Sequence, residues 1–197
     1  MQLLSFLLQR TLLIPGKVCY DEYNKEKAAY GKTKKDRNMI DLSIRKAEIQ
    51  DIPGILHLLS QVLEVHAKIR PDIFVSGTTK YTADELAEML RDERRPVWVA
   101  ADENNRVLGY AFCQIQEPPF TNTMIPFTTL FIDDFCVEEE ARGQHIGKQL
   151  FEHVRNEAKQ LGCYEVTLNV WEGNDNALRF YQAMGFRPKE TQMEYII

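Results

Sequence analysis

The chain has 197 residues, of which 44% are hydrophobic and 27% charged, and its formal net charge is −5. This length and composition are typical of one globular domain and exclude collagen-like, low-complexity and disordered chains. The negative charge argues against a nucleic-acid partner, and no apolar run reaches the roughly 18 residues that span a membrane. The four cysteines form no closely spaced pair, which indicates neither a zinc site nor a disulfide framework. We therefore expect a reduced, cytoplasmic chain without a metal.

The first 38 residues differ in composition from the rest of the chain. Residues 1–40 carry eight basic and four acidic side chains, so the remaining residues hold a net charge of −9. Met1–Ile14 is apolar but interrupted by Gln9 and Arg10, unlike a secretory signal, and residues 17–38 show no periodicity. We expect a domain over residues 39–197, preceded by an extension or linker over residues 1–38. Two interpretations stay open: a segment that docks on the domain or a partner subunit, or an upstream segment before a natural start at Met39.

From Met39 onward, the hydrophobic pattern predicts strands and helices in succession. This pattern predicts strands at residues 42–44, 97–101, 107–115, 130–137, 164–170 and 193–197, with alternation of apolar and polar residues at 42–44 and 164–170. The spacing of apolar residues predicts helices that begin at Ile52, Thr82, Ile146 and Asn176. The second of these opens with a capping box formed by Thr82 and Glu85, and the third ends at Gly162. Neighbouring strands with helices between them indicate one α/β or α+β layered domain.

The chemistry concentrates in a strand–loop–helix unit over residues 133–148. Its loop holds Gly143 and Gly147 and opens directly into a helix, whose first N–H groups favour phosphate or diphosphate. Arg142 and Lys148 add positive charge. A nucleotide-binding P-loop is excluded because its spacing fails and Gln149 stands where a hydroxyl is needed, and no GxGxxG fingerprint is present. That the two glycines serve only a steric purpose stays open at this point.

This loop resembles the acyl-coenzyme A loop of the GNAT-type N-acetyltransferase superfamily, whose pattern is Arg/Gln-x-x-Gly-x-Gly/Ala. Arg142 and Gly147 match its first and last positions, whereas His145 replaces the middle glycine. This replacement leads us to expect a backbone conformation there that suits an L-residue. A second segment, residues 174–186, matches the family's Asn-x-x-Ala…Tyr…Gly-Phe pattern. The resemblance covers roughly residues 40–197 and includes two motifs in the expected order.

The resemblance implies a mixed, mostly antiparallel central sheet with a splayed parallel strand pair and helices on both faces. It implies acetyl-CoA as co-substrate, with the pantetheine arm bonded like an added strand to Phe135 and Val137. Asn174 is either a helix cap or, as the resemblance implies, a contact to pantetheine or to the neighbouring strand. Dimerisation is an expectation at the family level. The residues expected to bind the cofactor are Phe135, Cys136, Val137, Arg142, Gly143, Gln144, His145, Ile146, Gly147, Lys148, Asn174 and Tyr181.

Tyr181 and two aspartates are the candidate catalytic residues. Tyr181 lies on the apolar face of its predicted helix, so it is either a core aromatic or, as the resemblance implies, the acid that protonates the departing thiolate. Asp133 and Asp134 occupy adjacent strand positions, so we expect them on opposite faces with at most one near the acceptor. Their run resembles that of diamine and polyamine acetyltransferases. The alternative is that one carboxylate only holds a backbone amide or an arginine.

Fewer sequence features identify the acceptor site than the cofactor site. In similar enzymes the first two helices and their connection form the acceptor wall, which makes His66, Arg70 and Asp72 candidate contacts, although His66 also fits a packed histidine. Cys136 has no neighbouring base, so we interpret it as a small buried residue rather than a nucleophile. We predict direct acetyl transfer to a primary amine, most simply a small cationic one. The alternatives are a protein N-terminal amine, as in ribosomal-protein acetyltransferases, and a non-catalytic acyl-CoA-binding module.

Overall fold

The computed structural model of the protein describes residues 42–120 and 122–197, so the predicted extension over residues 1–38 lies outside the described residues. Within these described residues, the chain forms five strands and four α-helices. They are β1 (Ser43–Lys46), α1 (Ile52–Ile69), α2 (Ala83–Met89), β2 (Val97–Ala101), β3 (Val107–Gln116), β4 (Thr129–Val137), α3 (Ile146–Gln160), β5 (Glu165–Leu168) and α4 (Asp175–Ala183). Short 3₁₀ turns occur at Ile49–Asp51 and Glu139–Ala141.

The strands form one sheet in the order β1-β2-β3-β4-β5. The first four strands pair in antiparallel fashion, whereas β4 and β5 are parallel. This mixed sheet with one parallel pair confirms the predicted fold class. The pairing of β4 with β5 extends only from Thr129 opposite Glu165 to Ile132 opposite Leu168, although β4 continues to Val137. The parallel pair therefore separates halfway along β4.

Helices pack on the two faces of this sheet and give it two hydrophobic cores. On one face, Ile55, Leu58 and Leu59 of α1 join a buried cluster with Tyr110 and Phe112 of β3. On the other face, residues of α3 that recur at helical spacing, including Leu150 and Val154, pack with Trp98 and Leu130. Burial of each such side chain contributes about 1.5–3 kcal/mol, so both faces of the sheet are firmly anchored.

A β-bulge interrupts β4 at Asp133. Phe112 of β3 lies opposite Asp134, and the next residue, Cys113, lies opposite Ile132, so Asp133 is an extra residue on β4. The extra residue reverses the alternation of the side chains. Ile132 packs in the cluster on the α3 face, whereas Cys136, an even number of positions later, packs in the cluster on the α1 face.

Most predicted elements are confirmed, and one is wrong. The predicted strand over residues 193–197 is absent, and Met193, Tyr195, Ile196 and Ile197 are exposed. The described sheet ends at β5, and a hydrophobic segment without a neighbouring strand to bond cannot form a strand. The C-terminal residues instead follow the domain surface through ion pairs of Lys189 with Glu165 and of Glu194 with Arg70. Within the described part of the chain, no helix has the length and apolarity needed to cross a membrane.

Candidate active site

The gap between β4 and β5 beyond Ile132 is the centre of the candidate site. Residues 134–137 pair with β3 on one side, and β5 has already ended on the other. The Glu138 N–H donates to Leu108 O at 2.9 Å, so strand alternation directs the N–H and C=O groups of Phe135 and Val137 away from β3 and into the gap. An extended molecule can bond to this free edge as an added strand.

The loop that follows β4 is held on α1 by the buried Glu138. Its carboxylate accepts hydrogen bonds from the Gln61 amide at 2.7 Å and from the Glu139 N–H at 3.0 Å, and lies 3.2 Å from His57 Nε2. Burial opposes the charge, but the Gln61 hydrogen bond and the charges of His57 and Arg106 outweigh it and lower the pKa of Glu138. The start of the loop is therefore fixed before the chain turns into α3.

The N-terminus of α3 presents free backbone donors beside this loop. The first hydrogen bond of the helix runs from the Gln149 N–H to His145 O at 3.0 Å, so the N–H groups of Ile146, Gly147 and Lys148 have no partner within the helix. Arg142 is half-exposed, and its Nε donates to Val137 O at 3.2 Å. Both the donors and the positive end of the helix macrodipole suit an anion such as a diphosphate.

The backbone of this loop departs from one expectation. His145 has φ +63° and ψ +11°, which is the left-handed region and not a conformation preferred by L-residues. The expectation drawn from the missing glycine is therefore wrong: histidine adopts the glycine-like conformation here, at a cost of about 1–2 kcal/mol. Gly143 also lies in this region with φ +80°, where a glycine avoids that cost.

Gly147 allows α4 to approach the start of α3. A Cβ atom on Gly147 would lie 3.3 Å from the Phe180 ring and 3.4 Å from a Val137 methyl group. The absence of a side chain at Gly147 thus brings the aromatic face of α4 against the gap. The steric and the anion-binding interpretations of this loop are both supported by its geometry.

Tyr181 is buried on α4 within a group of aromatic rings. Its ring centroid lies 6.3 Å from that of Phe135, 5.2 Å from that of Phe180 and 5.6 Å from that of Phe186. Burial, together with the negative charge of Asp134, raises the pKa of the Tyr181 phenol well above its ordinary value. Tyr181 therefore holds its proton at neutral pH. Asn174 caps the same helix by accepting a hydrogen bond from the Ala177 N–H at 3.2 Å.

Asp133 and Asp134 face the same cation, which corrects the expectation that they point to opposite faces. Asp133 Oδ2 lies 2.8 Å from Lys80 Nζ, and Asp134 Oδ2 lies 3.7 Å from the same nitrogen. The bulge at Asp133 is the reason, because it places two consecutive side chains on the α1 face. The Tyr110 hydroxyl lies 3.1 Å from Asp134 Oδ1, and burial, reinforced by the charge of Asp133, raises the pKa of Asp134.

Lys80 is the residue of this site that the sequence did not predict. It lies in the connection between α1 and α2, and no motif singles it out among the lysines. Its neighbour Tyr81 donates a hydrogen bond to Asp133 at 3.3 Å and stacks on Phe112 with ring centroids 5.8 Å apart. Burial opposes the ammonium charge, but the bond to Asp133 and the charges of both aspartates raise the pKa of Lys80.

The three predicted acceptor residues differ in their partners. His66 packs against Phe74 with ring centroids 5.1 Å apart, and burial together with the charge of Lys80 lowers the pKa of His66. Arg70 instead pairs with Asp72 at 2.6 Å and with Glu194 at 2.8 Å, over the ring of Trp171. Through Arg70, the segment that follows α1 is therefore linked to the C-terminal residues.

Cys136 matches the prediction of a small buried residue. Its Sγ lies 3.7 Å from Leu58 O on the α1 face, and burial raises the pKa of its thiol to about 12. A protonated thiol is a poor nucleophile. Among the described residues, no group of three or more His, Cys, Asp or Glu side chains is arranged to hold a metal ion.

Comparison with known families shows which family the chain belongs to. The model of the acetyltransferase (GNAT) family matches residues 62–186, which is more than half of the chain and spans the gap, the loop and α4. The chain belongs to the GNAT acetyltransferase family. It is accordingly an acyl-CoA-dependent N-acetyltransferase, as the two sequence motifs predicted.

Relatives of this GNAT chain are similar over most of their own length. Glucosamine 6-phosphate N-acetyltransferase of Trypanosoma brucei brucei is 29% identical over 160 residues, which cover 79% of this chain and 96% of that protein. Thialysine N-epsilon-acetyltransferase of Bos taurus is 26% identical over 156 residues, covering 75% and 85%. The tetramutant BH1408 protein of Bacillus halodurans has a solved structure with TM-score 0.75 and 32% identity, covering 79% of this chain and 99% of that one.

Proposed function

We propose that the protein transfers the acetyl group of acetyl-CoA directly to the primary amine of a small cationic molecule, in a complex that holds both substrates. The observation that carries this proposal is the separation of β4 from β5 beyond Ile132, with Tyr181 on one side and two aspartates on the other. This arrangement supports a donor bound in the gap, with Tyr181 as the proton donor and an aspartate as the proton acceptor.

The donor fits the free edge of β4 and the start of α3. The diphosphate binds the N–H groups of Ile146, Gly147 and Lys148, with Arg142 contributing charge. The pantetheine amides bond to the backbone groups of Phe135 and Val137. Each buried polar group that stays unbonded costs about 1–3 kcal/mol, so the bound arm satisfies groups that the sheet leaves free.

Different residues around the gap accept and donate protons during the reaction. An amine attacks a thioester only when neutral, so the ammonium first loses a proton to the carboxylate of Asp133 or Asp134, directly or through water. The nitrogen then bonds to the carbonyl carbon, whose oxygen is stabilised by backbone N–H groups of β4. As the carbon–sulfur bond breaks, the Tyr181 phenol donates its proton to the sulfur.

Electrostatics supports a cationic acceptor. Two carboxylates converge on the acceptor side, and Lys80 neutralises only part of their charge. Two relatives act, by their names, on glucosamine 6-phosphate and thialysine, and a third acts on peptidyl-lysine; all three acceptors carry a primary amine. An incoming alkylammonium group takes the position that the Lys80 ammonium holds between the aspartates.

A panel of acceptors tests the proposal. Purified protein is incubated with acetyl-CoA and, separately, with diamines, polyamines, lysine analogues, amino sugars and peptides with free N-termini, and the release of coenzyme A thiol is followed. We expect release with short cationic alkylamines and much less with neutral amines. Release with peptide N-termini alone would favour the protein N-terminal alternative, and no release with any amine would favour the non-catalytic acyl-CoA-binding module.

A further inference from the structure

The Lys80 amine occupies the position of an acceptor. Its Nζ lies 2.8 Å from Asp133 Oδ2 and 3.7 Å from Asp134 Oδ2, and its side chain keeps 38% of its surface exposed. The neighbouring Tyr81 ring, 5.4 Å from Nζ, is anchored on Phe112, so the end of the lysine chain is held in place. A primary alkylamine is thus fixed between the two candidate bases and is open to solvent on one side.

Another ion-paired lysine in the same domain shows how Lys80 differs. Lys189 pairs with one carboxylate, that of Glu165, at the first residue of β5. The gap, by contrast, opens beyond Leu168, the last residue of β5. Lys189 therefore has a similar ion pair but lies at the opposite end of the strand from the candidate site, which makes it a matched internal control.

The proposed position of the donor brings its thioester close to Lys80. A donor whose diphosphate binds at residues 142–148 and whose arm follows the free edge of β4 brings its thioester toward Asp133, about 13 Å along the strand from Val137. Tyr181 packs against Phe135, the residue that follows Asp134, with ring centroids 6.3 Å apart. The Lys80 amine, the candidate proton acceptors and the candidate proton donor therefore all lie beside the same part of β4.

We infer that Lys80 is a self-acetylation site: the protein transfers an acetyl group from acetyl-CoA to the Nζ amine of its own Lys80. The inference rests on the proposed function, since it uses the same donor and the same residues. The Lys80 ammonium gives one proton to Asp133, the nitrogen forms a bond to the carbonyl carbon, and the carbon–sulfur bond breaks. Coenzyme A leaves with a proton from Tyr181, and the second proton that the nitrogen loses restores the Tyr181 phenol. The products are acetyl-lysine and the free thiol, and Asp133 releases its proton to water.

The modification has a direct consequence for the acid pair. Acetylation removes the positive charge of Lys80, so Asp133 and Asp134 lose their internal counter-ion. Both carboxylates then attract an external ammonium group without competition. Self-acetylation thereby converts a site blocked by its own lysine into one that is open to a cationic acceptor.

Peptide mass spectrometry of the full chain tests this inference. The protein is incubated with acetyl-CoA alone, and the acetylated fractions of Lys80 and Lys189 are followed over time at several protein concentrations. We expect Lys80 to be acetylated at least about tenfold faster than Lys189, with a first-order rate constant that does not change with protein concentration. Asp133→Asn and Tyr181→Phe are expected to reduce the Lys80 rate to that of Lys189, while thermal unfolding confirms that both variants are folded.

Two results would overturn the inference, and a parallel assay separates them from failure of the proposed function. The inference fails if Lys80 is acetylated no faster than Lys189, or equally fast in both variants, because the reaction is then ordinary chemical acetylation. In the same samples, thiol release is measured with a short alkyl diamine added. Release with the diamine but without Lys80 acetylation would overturn only the self-acetylation, whereas absence of both would overturn the proposed function as well.

Discussion

The two ends of the gap between β4 and β5 are formed by different chemical groups, backbone N–H groups at one end and charged side chains at the other. At the proposed donor end, residues 142–148 present backbone N–H groups, a glycine at positive φ and the start of a helix. At the proposed acceptor end, Lys80, Asp133 and Asp134 present side-chain charges that distant parts of the chain bring together. The comparison teaches that a backbone site is encoded in a short local motif, whereas a side-chain site depends on the tertiary fold.

The largest expected effect comes from Tyr181, where the two ends meet. Tyr181→Phe keeps the ring and its packing but removes the proton donor, so we expect turnover to fall about 100-fold or more. The dissociation constant of coenzyme A should change less than about twofold, because the backbone contacts of the donor end are untouched. Steady-state kinetics and calorimetry check the two quantities, and unchanged turnover would remove Tyr181 from the chemistry.

Substitution of Asp134 is expected to lower activity less than substitution of Tyr181 and to change how activity depends on pH. Burial and the charge of Asp133 raise the pKa of its carboxyl, and the carboxylate accepts a proton only above that pKa. Activity should therefore rise with pH through a pKa above the ordinary value of about 3.9 and be lost below it. Asp134→Asn should lower kcat/KM by about 10–100-fold and move this acidic limb. An unchanged limb in the pH profile of the variant would contradict a role of Asp134 as base.

Removal of the Lys80 ammonium group should strengthen the binding of a cationic amine, whereas the two preceding substitutions should lower activity. Lys80→Met keeps an unbranched side chain but leaves Asp133 and Asp134 without their counter-ion, so an external ammonium group no longer competes with it. We expect the KM of a cationic amine to fall about three- to tenfold. A neutral amine of the same size serves as the control and should show no such gain. Equal changes for both amines would show that Lys80 acts on shape and not on charge.

The smallest expected effect is a loss of coenzyme A affinity when a glycine of the donor loop is substituted. A second glycine outside the loop shows how much of the effect comes from lower folding stability. Gly143 and Gly162 both have positive φ, +80° and +72°, and a Cβ atom added to either would meet no other atom within 4 Å. An alanine at either position therefore costs about 1 kcal/mol of folding stability, from backbone strain alone. Only Gly143→Ala lies in the donor loop, and we expect it alone to weaken coenzyme A binding, by about fivefold. Thermal unfolding and calorimetry of the two variants check this. Equal affinities would contradict the assignment of the loop.

Regular patterns made most of the fold predictable. The apolar run over residues 97–101 predicted β2 with its observed bounds, and Thr82 with Glu85 forms the predicted capping box at the start of α2. These features are local, because apolar runs and caps depend on residues a few positions apart. The same reasoning failed at the C-terminus, where the hydrophobic pattern alone predicted a strand that has no neighbour to pair with.

The acceptor end was less predictable for a physical reason. The bulge at Asp133 arises from the pairing of β4 with β3, and no residue within β4 signals it, so the two aspartates were assigned to opposite faces. Lys80 lies 53 residues before Asp133, and only the fold brings them together. His145 shows the same limit at the donor end: its motif position was recognised, but its left-handed backbone depends on the loop that surrounds it.

The most direct test of the central claim is calorimetric titration of coenzyme A into the full chain. The account places the diphosphate on the backbone of residues 142–148, so coenzyme A should bind with measurable heat. Pantetheine, which carries the same arm without the diphosphate, should bind at least about tenfold more weakly, a loss of about 1.4 kcal/mol or more. Absence of heat with coenzyme A, or equal affinity for the two molecules, would contradict the assignment of the donor site.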